Sequence, residues 1–319
     1  MSYCSITSNN KSYCYSLNSL ITILNAWNYL NPPNNRVKIN SNDMNNPDII
    51  FQKLEKKFSR YCITLNNNYW AWIDILKLIN KNTKNNYKLN KVMNDIEKKD
   101  LRPSQPIEWV YNKYEWLSNF DIENVLNQFN NKKDLKYYFY GVYTIDFGIK
   151  DENNNNTCKY DSHCNINMKE IIKSGKKYFG FITNLCRYNE PGTHWTSSFF
   201  ILDPSLKSYG GYYYDSVKRP IPELLKPVFN DIQKQMNSIY PNKKFNINIS
   251  NVKHQNSNTE CGVFSIAFQR RWLVLLYKDR NNANFDKVIN FNKMNDNVMY
   301  LLRNIFFRPN VKTILKKKL

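Results

Sequence analysis

The chain has 319 residues, a formal charge of +20, 42% hydrophobic and 15% aromatic residues, and 8 glycines. Its length predicts about two domains, or one core domain with a long extension, with enough chain for a hydrophobic core that needs no staples. No run of about 18 apolar residues exists, which excludes a membrane-spanning helix, and scarce glycine excludes collagen-like and Gly-loop repeats. The first ten residues hold no basic stretch followed by an apolar one, so a secretory leader is not expected. The charge has two readings. One is a polyanionic partner, with DNA associating through a basic surface. The other is compositional: Asn, Lys, Ile and Tyr are abundant, as an AT-rich genome would produce, and the basic residues form no single patch along the sequence.

The first hundred residues predict helices. Leu17, Leu20, Ile21, Ile23 and Leu24 give an apolar stripe that ends before Asn31-Pro32-Pro33. Ile49, Ile50, Leu54 and Phe58 give a second, and Trp70, Trp72, Ile73, Ile75, Leu76 and Ile79 a third. Asn-rich joins separate them, which predicts a small helical arm over residues 1–104. Asp100 to Pro106 is a linker candidate. Beyond it, residues 105–319 change character. A helix is predicted from Ser118 or Asn119 to Phe129, and strands over Tyr138–Phe147, Tyr178–Leu185, Trp195–Leu202, Gly211–Tyr214 and Phe245–Ile249. A helix follows around Pro222–Ile239, then a long apolar one over Gly262–Tyr277, and Lys316–Lys318 form a basic tail. This second part is α+β, with a central, mainly antiparallel sheet flanked by helices.

Seven cysteines stand at irregular spacing, with no C-x-x-C pair. A disulfide framework is not expected, and a reducing compartment is. Cys158, His163 and Cys164 lie close together but match no usual zinc-ligand spacing, so neither a metal nor a cofactor is expected. Cys4, Cys14, Cys62 and Cys186 lie in apolar or aromatic surroundings and read as buried structural thiols.

Cys261 differs. Polar loop residues precede it and a continuous apolar helix follows. A cysteine in the first turn of a helix meets the positive end of the dipole, which favours the nucleophilic thiolate. Gly262 beside it would let a substrate backbone approach closely. Of the three histidines, His194 opens an alternating strand at Trp195 and so lies on a sheet rim. Asp215 ends the aromatic strand Tyr212-Tyr213-Tyr214, where a carboxylate can orient a histidine on a neighbouring strand. Asp203 also ends a strand, but Asp203-Pro204-Ser205 reads as a plain turn. Gln255 lies six residues before Cys261, and its amide with the Cys261 N–H would make a two-donor oxyanion hole. His254 shares the loop with Cys261, whereas a base must face the thiol across the cleft, so His254 reads as a loop-ordering residue.

The order His194-Trp195, Asp215, Gln255 and Cys261-Gly262 resembles the adenovirus-proteinase and SUMO-protease superfamily of cysteine proteases. Trp116-Leu117-Ser118-Asn119-Phe120-Asp121-Ile122 is similar to the helix start that opens SUMO-type catalytic domains. The resemblance covers residues 105–280 roughly. Within it, the stretch from Val252 to Gly262 is similar to the polyprotein-processing protease of African swine fever virus, as is the helical arm that precedes the core. One departure stands out: that enzyme has Asn as third catalytic member where this chain offers Asp215, the residue commoner in the superfamily. The resemblance implies a papain-like cysteine protease core with His194 as base, Asp215 as its orienter, Cys261 as nucleophile and Gln255 in the oxyanion hole. Trp116, Asn119 and Trp195 would line the substrate cleft. It further implies a cysteine endopeptidase of a large DNA virus that cleaves core polyproteins after Gly-Gly-type sites during virion maturation, in the host cytoplasm (virus factory) and the virion core. Two alternatives remain open: a deubiquitinase or deSUMOylase acting on host conjugates, and an inactive nucleic-acid-binding core protein.

Overall fold

A computed structural model describes residues 3–8, 10, 12–63, 68–151, 157–160, 162–290 and 294–315. The basic tail at 316–318 and most of the Asn-rich stretch at 152–156 lie outside the described residues. The chain forms two compact units, Met1–Lys113 with Asn304–Leu319, and Tyr114–Arg303.

In the first unit, α1 (Leu17–Leu30), α2 (Pro47–Phe58), α3 (Trp72–Thr83) and α4 (Tyr87–Asp100) enclose an aromatic core. Short polar caps set the starts: Ser16 accepts from the Ser19 N–H, Asn46 precedes Pro47, and Asn86 accepts from the Leu89 N–H. α2 buries Ile50, Leu54 and Phe58, the four-residue stripe its sequence predicts. Phe58 stacks on Trp72 at 4.9 Å and meets Trp27 edge-on at 4.7 Å. α4 escaped the pattern because few of its residues are apolar; it buries Met93, Ile96 and Asp100.

The sequence division at 104/105 differs from this partition at both ends, since residues 105–113 and the C-terminal Asn304–Leu319 belong with the helices. The reason is long-range. Arg308 is fully buried between the carboxylates of Asp74 and Glu97, with Nε donating to the Arg102 carbonyl at 3.0 Å. Ser104 bridges Arg308, Cys62 bridges Leu315, and Trp109 packs edge-on against Phe307 at 5.2 Å. No local pattern announces such closures.

In the second unit, α5 (Asn119–Asn130) leads into β1 (Tyr137–Thr144), a small hairpin of β2 (Lys150–Asp151) and β3 (Thr157–Cys158), and α6 (Met168–Lys173). There follow β4 (Tyr178–Asn184), β5 (Trp195–Ile201), β6 (Gly210–Tyr214), α7 (Lys226–Ile239), β7 (Ile247–Ile249), α8 (Cys261–Asp279) and α9 (Phe285–Ile289); α10 (Asp296–Phe306) carries the chain out again. The main sheet has the order β1-β4-β5-β6-β7. Its two central pairings are antiparallel and its two outer pairings parallel, so it is mixed and not mainly antiparallel. The parallel pairs arise because each is joined by a crossover, one containing α6 and one containing α7, and crossovers bring strands back in the same direction.

Alternation along the strands builds three layers. Tyr212 and Tyr214 face α8, against Trp272 and Phe268, while Tyr213 between them faces Phe229 of α7 on the opposite side. Phe199 likewise stacks on Trp272, and Phe200 meets Phe229. α8 is buried along most of its length, as a helix apolar on nearly all sides must be. Its buried glutamine is satisfied: the Gln269 amide donates to Ser197 Oγ at 2.9 Å and the Ser198 carbonyl at 2.8 Å, and its oxygen accepts from the Tyr137 hydroxyl at 2.9 Å.

Two disulfides, Cys4–Cys14 and Cys158–Cys164, correct the expectation of an all-thiol chain. Each closes a short loop that local folding brings together, which irregular spacing does not reveal. The second pairing also ties up both cysteines of the Cys158, His163, Cys164 group. Cys62, Cys186 and Cys261 are buried thiols outside these two disulfides.

Candidate active site

His194 precedes β5 and Asp215 follows β6, so the antiparallel pairing of these strands brings the two to the same end of the sheet. His194 Nε2 lies 3.0 Å from Asp215 Oδ1. The same carboxylate oxygen accepts from the Val217 N–H at 2.7 Å, which fixes its direction. With Nε2 engaged, Nδ1 is the ring nitrogen left for the Cys261 thiol, which is among the groups that raise the imidazole pKa. Burial opposes charge on this ring, yet hydrogen bonds to Asp215 and Cys261 and the attraction of both outweigh it, and the His194 pKa is pushed up to about 9. Asp203, the rival carboxylate, instead pairs with Lys177 at 2.6 Å and caps its own turn through Ser205.

Cys261 is the first residue of α8 and is 2% exposed. No side chain caps that helix, so its first-turn N–H groups and the positive dipole end remain open at the thiol. The residue before it, Glu260, is fully buried and held by Arg303. Gly262 departs from its expected role. A Cβ there would come within 3.1 Å of Leu117 Cβ and 3.2 Å of Trp195 Cδ1. The glycine therefore serves packing against the site's own wall, and its missing side chain is not turned to an incoming backbone.

Gln255 is buried in the loop before α8. Its main-chain N–H and that of His254 both donate to the Ser216 carbonyl at 2.9 Å, next to Asp215. Its side-chain oxygen accepts from Ser216 Oγ at 2.5 Å, and one Nε2 proton goes to the Ser257 carbonyl at 2.8 Å. The second Nε2 proton has no partner among the described residues, which leaves one donor for a ligand. The loop is thus tied to the same strand end that carries the aspartate. His254 is the loop-ordering residue its position suggests: Nε2 donates to the Ile289 carbonyl at 2.8 Å and Nδ1 accepts from the Tyr214 hydroxyl at 2.9 Å, while burial lowers its pKa.

The three residues predicted to line a cleft share one. A groove of about 390 Å³ is lined by Trp116, Leu117, Ser118, Asn119, Val142, Tyr143, Thr144, Asn184, Cys186, Gly192 and Trp195. Trp195 is buried with its indole N–H on the Leu117 carbonyl at 3.0 Å, whereas Trp116 is 39% exposed. Asn119 begins α5, behind a capping box of Ser118 and Asp121.

Sequence reasoning missed three groups that hold this arrangement. Asn184 Oδ1 accepts from the N–H groups of Cys186, Thr193 and His194, at 3.2, 2.9 and 3.4 Å, and so closes the loop that delivers the histidine. In a chain this rich in Asn its signal is lost in the composition. Asp296 and Arg303, both on α10, grip the loop before Cys261. They lie 35 or more residues away from it, at positions where local pattern carries no information.

No family model matches the chain. It is 28% identical over 204 residues to a protein named as a thiol protease from Acanthamoeba polyphaga mimivirus. That match takes in 61% of this chain but only 57% of the relative, so it spans little more than half of the relative's length. Among solved structures, the African swine fever virus protease superposes with a TM-score of 0.58 at 17% identity, covering 97% of this chain and 96% of that one. Its selenomethionine form gives 0.55 at 16%, covering 96% of each. The SUMO protease Ulp1 aligns over 60% of this chain and 78% of its own, with a TM-score of 0.34 and 15% identity. Fold and site together define the α+β class expected from the sequence. The chain has the fold of the African swine fever virus protease and resembles a viral thiol protease in sequence.

Proposed function

We propose that the chain is a cysteine endopeptidase of a large DNA virus that cleaves structural polyproteins at Gly-Gly-type sites. The observation that carries this reading is the buried His194 held by the Asp215 carboxylate at 3.0 Å, with Cys261 opening α8 among the groups that raise its pKa. In that mechanism His194 takes the thiol proton and Cys261 Sγ attacks the scissile carbonyl carbon. The developing oxyanion is met by the Cys261 N–H and the spare Gln255 amide proton, a kind of donor whose removal costs roughly 10²–10³ in rate. His194 returns its proton to the leaving amine. Water, deprotonated by His194, then cleaves the thioester. Asp215 holds the ring and steadies its charge throughout. Trp116 and Trp195 flank a groove in which glycine, lacking a side chain, lies flat between aromatic walls. The substrates are viral core polyproteins, and the site of action is the virus factory of the host cytoplasm and the virion core. DNA association is a separable property of the +20 charge, and would show as a steeply salt-dependent affinity.

Labelling with a Gly-Gly-derived vinyl ester or aldehyde, mapped by mass spectrometry, tests the reading. Modification of Cys261 that is lost in His194→Ala supports it. Labelling elsewhere, or none in folded protein, overturns it and favours an inactive nucleic-acid-binding component. Cleavage of a ubiquitin-like reporter in preference to a Gly-Gly-Xaa viral peptide would move the substrate to host conjugates.

A further inference from the structure

We propose that α10 is a brace for the reaction site whose two ends control different steps, with Asp296 and Arg303 as positioning residues; this rests on the protease reading. At the N-terminal end, Asp296 Oδ2 accepts from the main-chain N–H groups of Asn256 and Ser257, both at 3.0 Å, and Oδ1 accepts from Ser257 Oγ at 2.8 Å. These three bonds hold the turn directly after Gln255. The Ser257 carbonyl in turn receives one Gln255 amide proton. Asp296 therefore sets the direction of the remaining proton, the one assigned to the oxyanion.

Two turns along the same helix, Arg303 reaches back to the same loop. Its Nε and Nη2 grip Glu260 in a forked pair at 2.9 and 2.8 Å, and Nη1 donates to the Glu115 carbonyl at 2.8 Å. Arg303 and Glu260 side chains are each 2% exposed, so the pair is desolvated and its geometry is fixed. Glu260 immediately precedes the nucleophile, and Glu115 immediately precedes Trp116 in the groove wall. One guanidinium thus spaces the wall from the thiol. Leu117 completes the link, since its carbonyl receives the Trp195 indole N–H and its side chain packs at Gly262. Lysine has no planar fork and cannot serve both sides at once.

The consequences separate. Loosening the Asp296 end disturbs an interaction made in the transition state, so kcat falls. Loosening the Arg303 end disturbs the groove, so KM rises. Steady-state kinetics with a Gly-Gly-Xaa peptide, alongside the rate of Cys261 alkylation by iodoacetamide, tests this on the full chain. Asp296→Asn is expected to lower kcat about tenfold or more with KM nearly unchanged. Arg303→Lys is expected to raise KM about tenfold, with the alkylation rate within about twofold of wild type, because that small probe needs no groove. If Arg303→Lys fails to fold, Glu260→Gln supplies the same test, since it keeps the shape and removes half of the charged pair. Unchanged kinetics in the variants, or a parallel fall of kcat, kcat/KM and alkylation in both, overturns the brace. No hydrolysis by the wild type overturns the protease reading, and the brace with it.

Discussion

Each unit buries a cluster of charged groups, and the two clusters are built to different rules. In the helical unit, the Arg308 guanidinium is paired on two sides: it donates to both oxygens of Asp74, to Glu97 and to the Arg102 carbonyl, and Lys77 adds a further cation on Glu97. Burial would lower the Arg308 pKa, but Asp74 and Glu97 hold it well above its ordinary value. At the sheet end of the other unit, among the described residues, Asp215 keeps a buried Oδ2 with no hydrogen-bond partner and Gln255 keeps a spare amide proton. A cluster whose opposite charges are paired with one another holds its fold. An incompletely satisfied one keeps capacity for a ligand at a cost in stability, because a buried polar group without a partner is expensive.

The comparison breaks most sharply on the proposed nucleophile and base. Cys261→Ala and His194→Ala should each lower peptide hydrolysis by about 10³-fold or more with circular dichroism little changed, and Cys261→Ala should also leave thermal unfolding little changed. Asp215→Ala should cost less than either, about 10²-fold, because the imidazole remains and only its orientation and charge are lost. Should Cys261→Ala retain full activity, the site assignment is wrong.

Arg308→Met tests the other cluster. Leaving Asp74 without its cation and Glu97 with Lys77 alone, both carboxylates being partly buried, should lower unfolding stability by about 3 kcal/mol in urea titrations. Hydrolysis per folded molecule should stay near wild type. A loss of activity without a loss of stability would erase the distinction between the two clusters.

Acidity sharpens it further. The folded His194 pKa of about 9 exceeds its ordinary 6.5. The stability that His194 gains from its partners is therefore fully present below about pH 6.5 and is lost as pH rises through about 9. The imidazolium that protonates the leaving amine is lost over the same range, so kcat/KM should fall on an alkaline limb near pH 9. In Asp215→Asn that limb should move to lower pH. The smallest effect belongs to His254→Gln. Its ring is a neutral bridge from Tyr214 to Ile289, so hydrolysis should fall by no more than about tenfold.

Much of this was legible in the sequence, and what was hidden has a common cause. α1, α2 and α3 follow from apolar stripes, which report the buried face of a helix, and the strands from short runs rich in aromatic and β-branched residues. The chemistry of the site was also present. A cysteine opening an apolar helix, a histidine opening a strand and an aspartate ending one are local facts about His194, Asp215 and Cys261. Tertiary structure alone decided that the outer strands run parallel and that Cys158 joins Cys164. It also decided that Arg308 returns the chain's end to the helices, and that Asn184, Asp296 and Arg303 hold the site in place. Local order is set within a few residues by sterics and burial. Pairing between distant groups is set by chain closure, and closure leaves no periodic mark on the residues that carry it.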